Sequence, residues 1–348
     1  MHPEIATDES ASLCVLLTTV NADHFRNRIR HLHTRFNVYA TTCPVPLPAP
    51  WLVVTPEIRA QCERYLPIAE ISAAFYYLYR AALASPPILS STPFYNSLSW
   101  ADTFALLPTE FQFSPNPALL LEAVLSNDHL LIRFLFSSFL PERFYGGIGR
   151  YPGQAEFIKE WLTFRKRSPL NCLDAACGTG EETFGLGLIL AEHGFSSGEI
   201  TIQGWTVEPL EVWAANHRRF PHNHRREELL RKATAALFSE GFGSSISFSC
   251  QNILTVSAPE RRARNGAFDL ILCNGLLGGP IIHEKSTLEL AVSRLTHHLA
   301  PGGMLLAADA FHGGWKQKCP QSELRALFTK YGLKTCDAGE GIGGLKPY

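Results

Sequence analysis

The chain has 348 residues with 31 Lys plus Arg against 32 Asp plus Glu, a formal net charge of -1, which excludes a generic polyanion binder and an acidic tail protein. With 46% hydrophobic and 18% charged residues it can bury a sizeable core, and its length suggests about two domains. Nine cysteines, an odd number without a CxxC pair, exclude an evident disulfide framework or zinc site and fit reduced thiols in a cytosol.

The first residues, MHPEIATDES, carry three acidic side chains and no basic n-region, so a secretory signal is not expected. Residues 12–20 (SLCVLLTTV) predict a strand, and 22–36 a basic helix capped by Asn21. Pro44, Pro46, Pro48 and Pro50 force an extended course. Thr55, Pro56 and Glu57 open a helix expected to run to about Ala84, and 99–107 and 117–140 predict further helices. The 117–140 window is broken by Glu122, Asn127, Asp128, His129 and Arg133, so it reads as a buried helix and no membrane span is expected. Residues 1–145 are thus expected to be a mainly helical N-terminal region, a strand-helix unit over 12–54 followed by helices over 55–140. All 26 glycines lie at or after Gly146, while most prolines precede it, which places a boundary near 145.

From 146 to 348 strands at 170–175, 200–207, 246–250, 268–273 and 303–309 alternate with helices at 181–193, 210–219, 226–239, 284–299 and 321–331. Apolar strands alternating with helices predict an α/β fold, a doubly wound, mostly parallel Rossmann-like sheet covered on both faces. A ligand then sits beyond the carboxyl ends of the strands.

The sharpest motif is Leu173-Asp174-Ala175-Ala176-Cys177-Gly178-Thr179-Gly180-Glu181-Glu182, which follows a strand and opens a helix. Glycines at spacing two let the backbone turn tightly and approach a cofactor, while Asp174 can anchor the loop or a cofactor amine. Glu208, 28 positions after Gly180, ends the second strand, where a carboxylate can accept both ribose hydroxyls. Thr183 stands where a dinucleotide fingerprint needs its third glycine, which argues against NAD or FAD.

These residues resemble the class I S-adenosylmethionine-dependent methyltransferases over about 145–335. Asp174 with Cys177-Gly178-Thr179-Gly180 matches the first motif, Glu208 the acidic ribose ligand, Asn252 and Ile253 the position beside the adenine, and Phe268 to Asn274 the fourth motif. His298-Leu299-Ala300-Pro301-Gly302-Gly303-Met304-Leu305 matches the helix, turn and fifth strand. The first motif further resembles the CheR chemotaxis glutamate methyltransferases, both reading C-x-T-G-E-E, and Arg150 is the candidate for that family's cofactor-contacting arginine. The resemblance implies S-adenosylmethionine as cofactor, held by Arg150, Asp174, Ala176, Cys177, Gly178, Gly180, Glu208, Asn252, Ile253 and Asn274. The fourth motif departs from the chemotaxis enzymes, with Asn274, Gly275 and Gly279 where their acceptor-side arginine, asparagine and tyrosine stand. Only 12 residues follow Cys336, so the family's final antiparallel strand is expected to be short or missing, with Gly339–Gly344 forming a turn.

The implied reaction is methyl transfer to an oxygen acceptor, either a protein carboxylate or a small molecule. A carboxylate is already ionised, whereas a hydroxyl profits from a base. His283 and His312, after the fourth motif and the fifth strand, are the candidate bases; the alternative for each is a surface or helix-capping histidine. Tyr145, Tyr151 and Trp315 can shape an aromatic acceptor pocket or pack in a core. His217, His222 and His224 lack a local carboxylate or cysteine that completes a metal set, so a solvated loop and no metal are expected. Without a D/N-P-P-Y segment, nucleic acid is not the expected acceptor. A cytoplasmic enzyme is the expectation, with specificity or homodimer contacts in the N-terminal region; a non-catalytic cofactor sensor is the alternative from another class.

Overall fold

The structure, a computed structural model, describes residues 12–140, 147–256, 267–279, 281–309 and 318–348. Its contacts divide the chain into two units, Met1–Tyr145 with Phe220–His224, and Gly146–Arg219 with Arg225–Tyr348.

The first unit contains α1 (Arg26–Thr42), α2 (Pro56–Tyr65), α3 (Ile68–Ala82), α4 (Trp100–Leu106), α5 (Pro117–Ser126) and α6 (Asp128–Phe139). Side-chain caps set the starts: Thr55, Ser99 and Asn116 each accept a backbone N–H from the first turn of the helix that follows. Asn21 does the same for the short 3-10 turn Ala22–Phe25 ahead of α1. Each of the two longest helices expected here is cut in two. Pro67 has no N–H to donate and drives Leu66 to φ -124° and ψ 74°, which ends α2 and opens α3. Asn127 ends α5, and its carboxamide accepts from Leu130 N to start α6. The expected strand over 12–20 is also corrected: residues 12–16 are helical, and the only pairing there among the described residues is a bridge from Leu17 to Leu83. A strand needs a run of backbone pairing along one edge, and the chain after α3 bridges this segment at one point. Aromatic rings fill the centre. Phe75 stacks on Phe94 at 4.7 Å, and the buried Tyr79 satisfies its hydroxyl by donating to Ser138 Oγ at 3.0 Å.

The second unit opens with α7 (Pro152–Phe164), a helix with no sequence expectation, and continues with β1 (Leu170–Asp174), α8 (Glu181–Glu192), β2 (Ile200–Thr206), α9 (Pro209–His217), α10 (His224–Ala233), α11 (Ala235–Ser239), β3 (Ile246–Cys250), β4 (Phe268–Leu272), α12 (Lys285–His298), β5 (Leu299–Ala308), α13 (Gln321–Lys330), β6 (Lys334–Ala338) and β7 (Gly341–Leu345). The seven strands form one sheet in the order β3-β2-β1-β4-β5-β7-β6, with β7 antiparallel to both neighbours and the other pairings parallel. The fold is therefore α/β, a doubly wound, mostly parallel Rossmann-like sheet, as the methyltransferase resemblance implied.

The final antiparallel strand is present at five residues, so of the expected alternatives, short or missing, the second is corrected. Met304–Ala308 pair with Leu345–Gly341, and the same five residues of β7 pair with Lys334–Ala338 on the other side. Gly341, Gly343 and Gly344 lie inside this strand and not in a turn, because hydrogen bonding along both edges outweighs their weak strand preference. All nine cysteines are free thiols, and among the described residues no helix is long and apolar enough to cross a membrane.

One buried polar group in this core has an energetic consequence. His298, in the last turn of α12, is 4% exposed between the rings of Trp205 and Phe268, and among the described residues neither ring nitrogen has a hydrogen-bond partner. Burial, helped by the charges of Arg294 and His297, lowers its pKa. The unfolded chain therefore takes up this proton first as pH falls. Stability from the neutral ring is intact above the ordinary histidine value of about 6.5 and is lost as pH drops through the lowered native value. His298→Leu removes both orphaned nitrogens at similar volume. It is expected to raise unfolding free energy by about 1 kcal/mol at pH 7.5 and by more at pH 5, measured by urea denaturation at both pH values.

Candidate functional site

Parallel order sets the carboxyl ends of β2, β1 and β4 side by side, and the candidate cofactor residues from Asp174 onward follow these ends and that of β3. β1 ends on Asp174, which is 1% exposed. Its Oδ2 accepts the Thr183 hydroxyl at 2.8 Å, and its Oδ1 the Ala176 N–H at 3.4 Å. Burial pushes this carboxyl up to about 6 against those two bonds, with the Glu181 charge adding to the rise. Of the two roles open to Asp174, these bonds describe the loop anchor. Thr183, which replaces the dinucleotide glycine, is the anchoring partner.

The turn is closed by backbone bonds from Cys177 N to the Trp205 carbonyl at 3.0 Å and from Gly180 N to the Cys177 carbonyl at 2.8 Å. Gly180 has φ +90°, and a Cβ there would stand 2.8 Å from the Phe248 ring of β3. Only glycine permits this approach. Thr179 donates to Glu181 Oε2 at 2.6 Å, and Arg226 Nε donates to Glu181 Oε1 at 3.0 Å, so α10 ties down the far side of the loop. Burial drives the Cys177 thiol well above its usual range, which leaves it un-ionised and a poor nucleophile.

Glu208 follows β2, is 7% exposed, and starts α9 by accepting Leu210 N at 3.2 Å. Burial, with the Glu211 charge, pushes its carboxyl up to about 7 in spite of that bond. Asn252, just beyond β3, is exposed and turns its carboxamide to Leu254 N at 2.9 Å. Ile253 packs at 5% exposure in the hydrophobic cluster with Leu173, Trp205 and Ile271.

Asn274, just past β4, is the most connected candidate. Its Oδ1 accepts Ala308 N at 2.9 Å and Gln154 Nε2 at 3.1 Å. Its Nδ2 donates to Gln154 Oε1 and to Glu182 Oε2, each at 2.7 Å. Arg150 approaches Glu182 Oε1 at 3.9 Å, with its side chain 12% exposed. Burial and then the Asp174 charge push the Glu182 carboxyl up to about 8, against the Asn274 bond and the Arg150 charge. Asp269, at the opposite end of β4, holds the strands together by accepting Asn171 N at 3.0 Å and pairing with Arg165.

His283 follows the bridge between Leu277 and Ile282; its Nε2 is 3.6 Å from Glu284 Oε1, and its Nδ1 is buried with no partner among the described residues. His312, Tyr145 and Trp315 lie outside the described residues. Tyr151 is buried at 5% exposure. His217 and His222 bond the carbonyls of Trp213 and Leu140, and no group of three metal-ligating side chains occurs among the described residues. Gln154, Glu182, Thr183 and Phe248 escaped the sequence reading as site residues. Glu182 was visible in the C-x-T-G-E-E motif, and Thr183 as the missing glycine. Gln154 and Phe248 carry no motif and reach the site only through the sheet.

No protein-family model matches the chain. It is 27% identical over 150 residues to a Pseudomonas putida protein described as a probable biofilm formation methyltransferase, WspC, with 41% of this chain and 34% of that protein covered. The chain thus spans about a third of that curated relative's length. Among solved structures it is similar to the N-methyltransferase NodS from Bradyrhizobium japonicum in complex with S-adenosyl-L-homocysteine, at 16% identity over 64% of this chain and 100% of that one, with a TM-score of 0.37. It is also similar to S-adenosylmethionine-bound CalS10, an amino pentose methyltransferase from Micromonospora echinaspora, at 13% identity over 56% and 90% of the two chains, with a TM-score of 0.36.

The loop geometry makes two substitutions costly. Gly180→Ala is expected to lose about 1–3 kcal/mol through left-handed strain and displacement of the Phe248 ring. Thr183→Val is expected to lose about 1–3 kcal/mol by leaving a buried carboxyl oxygen without its donor, whereas Thr183→Ser retains most of the stability. Urea unfolding at pH 7.5 checks both.

Proposed function

We propose that the chain is an S-adenosylmethionine-dependent methyltransferase acting on an oxygen acceptor, with residues 146–348 as the methyltransferase domain. The observation that carries this reading is the pairing of the tight left-handed glycine turn after β1, packed at Gly180 on the Phe248 ring, with the desolvated Glu208 carboxyl at the end of the neighbouring strand. The donor set suits the cofactor's chemistry: a dehydrated carboxylate gains from two hydroxyl donors, and acids near the loop suit an ammonium. Glu208 would hold the ribose, Asn252 and the Ile253 backbone the adenine edge, and the loop from Ala176 through Cys177 and Gly178 to Gly180, with Asp174 beneath it, the methionine moiety. Arg150 and Asn274 would act beside them. When bound, the cofactor supplies a sulfonium methyl group open to in-line displacement. The protein's own part is to hold the acceptor oxygen about 3 Å from that methyl and to exclude water.

The CheR-like C-x-T-G-E-E loop favours a carboxylate acceptor, which needs no base. The buried Nδ1 of His283, without a partner among the described residues, favours the second reading, a small-molecule hydroxyl acceptor with a histidine base. His312 takes the same role in that reading.

Calorimetric titration tests the cofactor assignment: the expected outcome is saturable binding of S-adenosylmethionine, and no heat at millimolar cofactor with folded protein overturns it. Because Glu208 must shed its proton before both oxygens accept hydroxyls, affinity is expected to rise about tenfold between pH 6 and pH 8. Glu208→Gln should bind more weakly and lose this pH dependence. For the acceptor, labelled methyl incorporated from a lysate as an alkali-labile protein ester, unaffected by His283→Ala, supports the carboxylate reading. A drop of roughly 10²–10⁴ in rate on His283→Ala supports the hydroxyl reading. Binding without turnover on any fraction leaves the sensor alternative.

A further inference from the structure

We infer that Glu340, in the turn between β6 and β7, is a positioning residue for the glycine-loop site, holding the head of α7 so that Gln154 fixes the Asn274 carboxamide against Glu182.

α7 begins with Pro152 after Tyr151, which supplies no side-chain cap. The exposed donors of its first turn are satisfied from far along the chain: Glu340 Oε1 accepts Gly153 N at 2.8 Å, and Oε2 accepts Gln154 N at 2.9 Å. A carboxylate at a helix start is favoured both by these bonds and by the helix dipole. Although burial raises the Glu340 pKa, these backbone bonds hold it below its ordinary range. The approach is close enough to dictate the neighbouring residue. Gly339 has φ +59°, and a Cβ on it would fall 2.1 Å from the Gly153 carbonyl carbon. A side chain at residue 339 is therefore excluded where the hairpin turn meets the helix.

From that cap the structure runs inward without a break. Gln154 is 3% exposed, and its carboxamide pairs face to face with that of Asn274 through bonds of 3.1 and 2.7 Å. The orientation of Asn274 is not free. Its Oδ1 accepts Ala308 N at the end of β5, so the amide nitrogen must face Gln154 Oε1 and Glu182 Oε2. Rotating the head of α7 would pull Gln154 away, leaving one buried N–H of the Asn274 amide without its acceptor and its Oδ1 with the Ala308 bond alone. A carboxylate on the C-terminal hairpin thereby governs where Glu182 sits at the loop.

The consequence for affinity rests on the cofactor reading above; the coupling itself does not. The test is a double-mutant cycle on the full chain, with S-adenosylmethionine affinity read by calorimetry and folding checked by thermal melting. Glu340→Ala and Gln154→Leu are each expected to weaken binding about tenfold, and the double variant by no more than either single. Glu340→Gln, which keeps one acceptor oxygen, should recover part of the loss, and it carries the cycle if Glu340→Ala does not fold. Independent losses that multiply to about a hundredfold, or no loss in Glu340→Ala, overturn the inference. If the wild-type chain binds no S-adenosylmethionine, the cofactor reading fails, and the Asn274 side-chain amide resonances decide instead. A shift of those signals in Glu340→Ala upholds the positioning role, and unchanged signals overturn it.

Discussion

Asp174 ends an interior strand at 1% exposure, and its two oxygens are met by the Thr183 hydroxyl and the Ala176 N–H. An isolated carboxyl in this setting would be prohibitively unfavourable, so the turn after β1 must return its chain over the strand end and start α8 at a fixed phase. That phase places Glu181 toward Arg226 and Glu182 toward Asn274. It also forces the backbone at Gly180 against the Phe248 ring of β3. One desolvated acid thus sets the positions of the loop, of two further acids and of the ring that backs them.

The buried polar groups around the loop differ in how they are satisfied. Asp174 and Glu181 have dedicated side-chain donors on helices α8 and α10. The Glu208 carboxyl accepts the first-turn amide Leu210 N, and Glu182 depends on an amide that itself needs Gln154 and Ala308. Carboxyls raised to about 7 and about 8 in this way stay poised near neutrality, a property more often met at working sites than in structural ion pairs. At the other end of the sheet, Asp269 of β4 pairs with Arg165 at the end of α7 and accepts Asn171 N of β1, which serves strand alignment.

Much of this was legible in the residues. The five parallel strands stand out because a parallel sheet covered on both faces leaves short apolar runs such as Leu270–Leu272. The glycine loop and Glu208 were visible because close backbone approach and an acid at a strand end demand particular residue types. Apart from two local breaks, what escaped was set by partners distant in sequence. Pro67 and Asn127 cut helices that hydrophobic pattern alone makes continuous. The glycines of β7 resemble a turn until β5 and β6 are seen bonding both its edges. Gln154 carries no motif, and its role depends on Asn274, 120 positions away.

By itself, then, the amino-acid order determined the alternation of strands and helices, the place of the glycine turn and the acids that flank it, because these follow from local backbone sterics and from the periodicity of burial. Only the tertiary structure decided that Asp174 anchors the loop, that Thr183 stands in for a glycine as its partner, and that Glu340 caps a helix 187 residues earlier in the chain. Those outcomes depend on which buried donor meets which acceptor, and such pairings arise when the sheet brings remote segments together, leaving no signature in either segment alone.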